Sequence, residues 1–244
     1  MKKFLSLSKY VIIVVLWQIL AIYIDNQLFF PRIQNVILSI KDIIRNDNFF
    51  FIIFNTLLYL LTSFILSGIL SIIMAALAHK FKLFCDMLNL LFSIINSLPS
   101  LIIIILVIIW SDIKFVPLAV SITIVVPIFY SNILSGINSI SNDIVDICKV
   151  YKISNFNIIK KIYIPGIFFY IAPTLGTIIS INLKIILASE ILSQKSNTIG
   201  GEIFINKIYL NTSNIFAWII IVFLINICIS KIIKIINIKF KKER

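Results

Sequence analysis

The stretch Asp146–Pro165, DICKVYKISNFNIIKKIYIP, is a polar, basic island between two apolar runs, and its position decides how the rest of the chain is read. On both sides of it the sequence is lipid-soluble. Of the 244 residues, 60% are hydrophobic and 13% charged, with a mean hydropathy of +1.09. Such a chain cannot stay monomeric in water, so it reads as an integral membrane protein. An island of this kind survives between two spans because something outside the bilayer uses it, or because it rests on the headgroups.

Crossing about 30 Å of hydrocarbon takes about 20 apolar residues. Windows of that length predict an all-α polytopic fold with six transmembrane helices, at roughly 6–24, 54–78, 87–110, 115–135, 167–188 and 213–235. Residues 1–244 read as one transmembrane domain, with a loop at about 137–166 between helices 4 and 5. Lys and Arg favour the cytoplasmic side. With the N-terminus inside, fifteen of the 22 basic residues fall on inside segments, six fall outside and Lys184 lies within a span. Both termini and the island are therefore expected in the cytoplasm. The first run has the Lys-bearing start of a signal peptide but no small-x-small site before Asp25-Asn26, so it is expected to be a retained span. Residues 33–46 (IQNVILSIKDIIRN) alternate apolar and polar faces at helical spacing, which predicts a helix on the outer surface.

The net charge of +12 flanks membrane spans and is not interleaved with stacking aromatics, so anionic headgroups are the expected partner and nucleic acid is not. Cys85, Cys148 and Cys228 offer neither a disulfide framework nor metal-ligand spacing. His79, the only histidine, sits beside Lys80 and reads as a headgroup contact. No carboxylate pair lies within one span, so catalytic residues, metal and cofactor are all read as none. None of the six glycines belongs to a phosphate-binding GxxxxGK[ST] loop, so any ATP hydrolysis must belong to another polypeptide.

Two spans carry breakers: Pro99 in INSLPSL and Pro127 in VVPIFYSN. Each removes a backbone donor and kinks its helix. With Asn96 and Asn132 nearby, these helices suit a bundle that lines a path; alternatively, the same side chains only bond to adjacent helices. Lys184 and Glu190 are the charges placed toward the outer end of the fifth predicted span. Six residues apart they point in different directions, about 240° net, so no mutual ion pair is expected. Lys184 either snorkels outward or faces the path. Glu190 is expected to bond the loop around Gly200 and Gly201.

The island resembles the EAA loop of permease subunits of bacterial ATP-binding-cassette importers, whose pattern is EAA, three residues, Gly, nine residues, then I-x-L-P. Asp146-Ile147-Cys148 stands at the EAA position, Lys152 at the Gly and Ile162-Tyr163-Ile164-Pro165 at the I-x-L-P. Pro127, Asn132 and Gly136 match the family's Pro, Asn and Gly leading into the loop. Pro165, Tyr170 and Ser189-Glu190 match the helix after it. The layout is similar to the nitrate, sulfonate, taurine and thiamine-precursor permeases. The resemblance implies a multi-pass permease of the bacterial cytoplasmic membrane that takes up a small organic or inorganic anion or a vitamin precursor. It implies coupling to a separate ATP-binding ATPase dimer through a short helix at about 143–152, a second permease copy, and an external substrate-binding protein. Asp146, Ile147, Cys148, Lys152, Ile162, Ile164 and Pro165 would couple to the ATPase; Asn96, Pro99, Pro127, Asn132, Lys184 and Glu190 would line the path. Two departures stand out: Asp146 shortens the Glu, and Lys152 replaces the Gly that turns between the loop's two helices. A left-handed turn costs a non-glycine residue roughly 1–2 kcal/mol, so the turn is expected to move to Ser154-Asn155, with Ser154 capping the second helix, or the loop to be built differently. The alternatives are a non-transporting scaffold whose 143–165 segment rests on lipid, and a secondary transporter.

Overall fold

Pro99 sets the first departure from the expected architecture. Proline lacks an amide hydrogen and disfavours helix in the residue before it. In the computed structural model, which describes residues 2–242, Leu98 and Pro99 are accordingly extended, with ψ of 135° and 133°. The expected third span is therefore two helices bent by 103°.

The helices in chain order are α1 (Lys2–Ile24), α2 (Ile33–Arg45), α3 (Phe49–Lys80), α4 (Lys82–Ser97), α5 (Ser100–Trp110), α6 (Val116–Asn138), α7 (Asn142–Val150), α8 (Asn155–Ile158), α9 (Ile164–Ile171), α10 (Leu175–Leu192), α11 (Ile199–Ile208) and α12 (Thr212–Lys242), with a π-helical turn at Ile159–Tyr163 between α8 and α9. No strand forms among the described residues. Four helices are long and apolar enough to cross a membrane: α3, α6, α10 and the Thr212–Ile235 part of α12. The α4–α5 pair makes a fifth if a broken span is counted.

The expected fifth span is also displaced. A turn at residues 172–174, containing Pro173, separates α9 from α10, so the long helix runs Leu175–Leu192. Lys184 thus lies near the middle of α10 and not toward its outer end. The turn's polar groups are satisfied from two sides. Asn237 Nδ2 donates to Ala172 O at 2.6 Å, and Thr174 Oγ1 donates to Asn132 Oδ1 at 3.3 Å. Pro127, by contrast, is absorbed within an unbroken α6.

Small residues explain how α3 and α6 approach so closely. Ser63, Ser67, Ser71, Ala75 and Ala78 form a buried seam on α3, and Val116, Val120, Ser121 and Val125 are buried on α6. In lipid, helices associate through such close packing and polar contacts because no hydrophobic gain separates them from lipid. Asn182 of α10 ties the three together. It receives a hydrogen bond from Ser121 Oγ, pairs with Ser63 Oγ at 3.0 Å and donates to Leu60 O at 3.3 Å. Ser71 Oγ donates to Val126 O at 2.9 Å, beside Pro127. Each such bond contributes on the order of 0.6 kcal/mol in a membrane. Half of the apolar window of α10 is buried, against 17% for α12, so α10 is central and α12 peripheral. Helix α2 forms as expected and buries Val36, Ser39 and Ile43 against the cluster that contains Trp218 of α12.

Candidate functional site

The island folds as a return between α6 and α9. Their backbones nearly touch: a Cβ on Gly136 would lie 2.8 Å from Ile167 Cα, so only glycine fits there. At the same end, His79 Nδ1 meets Asn138 Oδ1 at 3.2 Å, and its ring stands edge-on to Tyr163 at 6.2 Å. His79 thus has a partner within the helix bundle while its ring stays exposed. These contacts tie the end of α3, the end of α6 and the exit of the loop into one block.

Within the loop, α7 begins with Asp143 in its first turn, where a carboxylate favours the helix dipole. Asp146 pairs with Lys149 at 2.8 Å, both side chains 66% exposed, so solvent screens the contact. The Asp146 carboxylate holds the Lys149 ammonium above its ordinary pKa. Ile144, Ile147, Val150 and Tyr151 share the outward face at helical spacing and are exposed, Val150 by 79% and Tyr151 by 77%. Cys148, one turn after Ile144 and bordering this face, is buried. An apolar outward face on a short helix is not a solvated surface; it requires cover.

Lys152 does not surrender the turn. It has φ 54°, the left-handed conformation of the glycine it replaces. Ile153 N donates to Cys148 O and Lys152 N to Lys149 O, both at 2.9 Å, the paired bonds that close a helix in a Schellman motif. Those bonds satisfy the last carbonyls of α7 and offset the strain, so the expectation that the turn would move is corrected. Ser154 does cap the next helix, accepting from Asn157 N at 3.4 Å. Lys152→Gly is expected to stabilise the folded protein by up to about 1 kcal/mol, visible as a higher melting temperature; an unchanged or lower value would mean the turn is not strained.

Of the remaining loop residues, Ile164 is exposed, and Ile162 and Pro165, in the first turn of α9, are half-buried. Of the residues expected along a path, Asn96 and Pro99 are exposed at the α4–α5 bend, Lys184 is exposed, Asn132 is half-buried, and Pro127 and Glu190 are buried. The structure joins Asn132 to Thr174 and does not join Lys184 to Glu190.

Glu190 is fully buried. Its Oε2 accepts from Gly200 N at 2.9 Å and from Thr56 Oγ1 at 3.2 Å. Thr56 Oγ1 in turn accepts from Ile199 N at 3.0 Å, and Thr198 Oγ1 caps α11 by accepting from Gly201 N at 3.2 Å. The carboxylate therefore sits at the N-terminus of α11, where free amide groups and the dipole favour an anion. Both glycines are required by space. A Cβ on Gly200 would lie 2.3 Å from Glu190 Cβ, and one on Gly201 would lie 2.0 Å from Lys195 O.

Residues 67–242 match the family model described as binding-protein-dependent transport system inner membrane component. The chain belongs to this family. A search for individual curated relatives finds no match. As an inner-membrane transport component, the permease belongs to a family whose members work with an ATPase and a binding protein. The matched region begins within α3 and includes α7, the Gly136 contact, Glu190 and Gly200; α1, α2 and Thr56 precede it.

Several structural residues of the permease escaped the sequence reading. Thr56, Ser63, Ser121 and Asn182 lie in apolar runs, where a polar side chain signals an interhelical contact, but the pairing is set by packing. A cavity of about 260 Å³ between α2, α3, α11 and α12 was also not foreseen; Asp42, Asn46, Glu202, Asn206, Asn214 and Trp218 line it. Burial there pushes the Glu202 carboxyl above its ordinary pKa. Among the described residues, no group of three or more His, Cys, Asp or Glu could hold a metal.

Proposed function

We propose that the chain is the transmembrane permease subunit of an ATP-binding-cassette importer, with α7 as the helix that docks in a groove of a separate ATPase. The exposed apolar face of α7, Ile144, Ile147, Val150 and Tyr151, is the observation that carries this reading. In it, residues 1–244 form one transmembrane domain of six spans: α1, α3, the broken α4–α5 pair, α6, α9 with α10, and α12. Both termini and the loop at 137–166 lie in the bacterial cytoplasm, and a second copy of the chain completes the path. Asp146, Ile147 and Cys148 on α7, Lys152 at the turn, and Ile162, Ile164 and Pro165 at the exit belong to the coupling unit. Closure of an ATPase dimer would push two such units together. The tight Gly136–Ile167 approach and the His79–Asn138–Tyr163 contacts favour transmission of that push to α6, α9 and α3 as a rigid block. An external binding protein would deliver the ligand. The path, opened and closed by tilting spans, would draw on Asn96, Pro99, Pro127, Asn132, Lys184 and Glu190. The resemblance to nitrate, sulfonate, taurine and thiamine-precursor permeases favours a small organic or inorganic anion or a vitamin precursor as cargo.

The test is co-purification of an ATPase carrying a phosphate-binding loop with the permease, lost on Asp146→Lys. That change reverses one exposed charge and sets like charges against Lys149, a local effect that solvent screens. Unchanged association would assign α7 to the lipid surface. Topology is read separately with a membrane-impermeant thiol reagent. Because Cys148 is buried and Cys228 is exposed, the reporter is Tyr151→Cys in a background with Cys85, Cys148 and Cys228 replaced by Ala. Labelling is expected only after the cells are opened; labelling of intact cells would put the loop outside and sink the reading.

A further inference from the structure

We infer that the exposed stripe of α10 around Lys184 faces water within the membrane and attracts anions, so that the cargo passing it carries negative charge. The cargo rests on the importer reading above; the anion-attracting surface does not. Lys184 is the tenth of the eighteen residues of Leu175–Leu192. At 1.5 Å per residue, roughly 12 Å of helix separates it from either end, a long way for a lysine to snorkel to headgroups. An ammonium at this depth is among the most expensive groups to leave in lipid.

The surroundings of Lys184 do not resemble a lipid-facing helix. On α10 only Thr177, Lys184 and Leu192 are exposed, with Ser180, Ile181 and Ala188 half-buried along the same side. Next to Thr177, a Cβ on Gly176 would meet nothing within 4 Å, so open space borders the stripe. The Lys184 side chain has no ion pair or hydrogen bond among the described residues. In the four helices long enough to span, Glu190 is the only carboxylate. It is fully buried and bonded to Gly200 and Thr56. A second copy of the chain brings the same set, so a homodimer adds no exposed carboxylate from these spans. Asp86, on α4 of the broken pair, is exposed and forms no ion pair with Lys184; water and mobile anions are the counter-charge assigned to Lys184.

The experiment uses membrane vesicles carrying the full permease with Cys85, Cys148 and Cys228 replaced by Ala and a reporter Ala188→Cys, one turn from Lys184. The probes are the sulfonatoethyl and trimethylammonioethyl methanethiosulfonates, of similar size and opposite charge. Both are expected to react, and Lys184→Met should lower the sulfonate-to-ammonium rate ratio about tenfold, while Lys184→Arg should retain it. Thr177→Cys is a second reporter should Ala188→Cys not assemble. No reaction with either probe, or a ratio unchanged by Lys184→Met, would overturn the inference. ATPase co-purification from the same membranes separates the two readings: a charge-dependent ratio without a bound ATPase leaves the anion surface standing and removes the importer.

Discussion

Gly200→Ala is expected to destabilise the purified permease by about 3 kcal/mol or more, with loss of the folded species in a thermal melt. The methyl carbon would arrive 2.3 Å from Glu190 Cβ, 2.9 Å from Ile191 N and 2.9 Å from Leu187 O. None of these is the far end of a flexible side chain, so α11 must move off α10. Overpacking of this kind costs about 1–3 kcal/mol. The movement also removes the Gly200 N–H from a buried carboxylate, which adds on the order of 1–3 kcal/mol. Gly176→Ala is the matched control. It adds the same atom at the second residue of α10, as Gly200→Ala does at the second residue of α11, meets nothing within 4 Å, and should be neutral or stabilising by up to about 1 kcal/mol. Equal melting temperatures for the two variants would show that the Glu190–Gly200 approach does not hold α10 to α11.

Ile147→Asp combined with Val150→Asp should abolish ATPase association and ATP-driven uptake while the permease still reaches the membrane. Both side chains are more than half exposed, so no core contact is lost in the free protein. Two central apolar anchors of an interface are worth about 2 kcal/mol or more each, and a combined loss near 4 kcal/mol is roughly a thousandfold in affinity. Lys160→Ala, also at an exposed loop position, should leave association within a few-fold. If the double variant still binds the ATPase, the apolar face of α7 has another occupant.

The outcome of the sequence reading differs by feature, and the differences have physical causes. Apolar content and window length fixed the class because insertion in lipid depends on composition over about twenty residues. The amphipathic period of 33–46 located α2, and the Ser154 cap was legible because capping is a matter of local chemistry. Helix boundaries near proline were less accessible. Pro99 was expected to kink a span and instead divides it by 103°, since the extension of two residues depends on what α4 and α5 then pack against. Pro173 went unweighed, which misplaced Lys184 toward a helix end. At Lys152 the residue type argued against a left-handed turn, yet two hydrogen bonds to the end of α7 hold it there.

The membrane class, the basic island and the resemblance of its spacing to a permease loop are properties of the chain read in one dimension, and the sequence by itself determined them. Tertiary structure alone decided which polar residues serve the core and which face outward. Asn182 and Lys184 are two residues apart in one apolar run, but helical geometry turns one into the α3–α6–α10 junction and leaves the other exposed. Glu190 and Gly200 are joined for the same reason: a carboxylate can remain buried where a helix N-terminus offers it amide hydrogens, and only the folding back of α11 onto α10 brings that terminus within 2.9 Å.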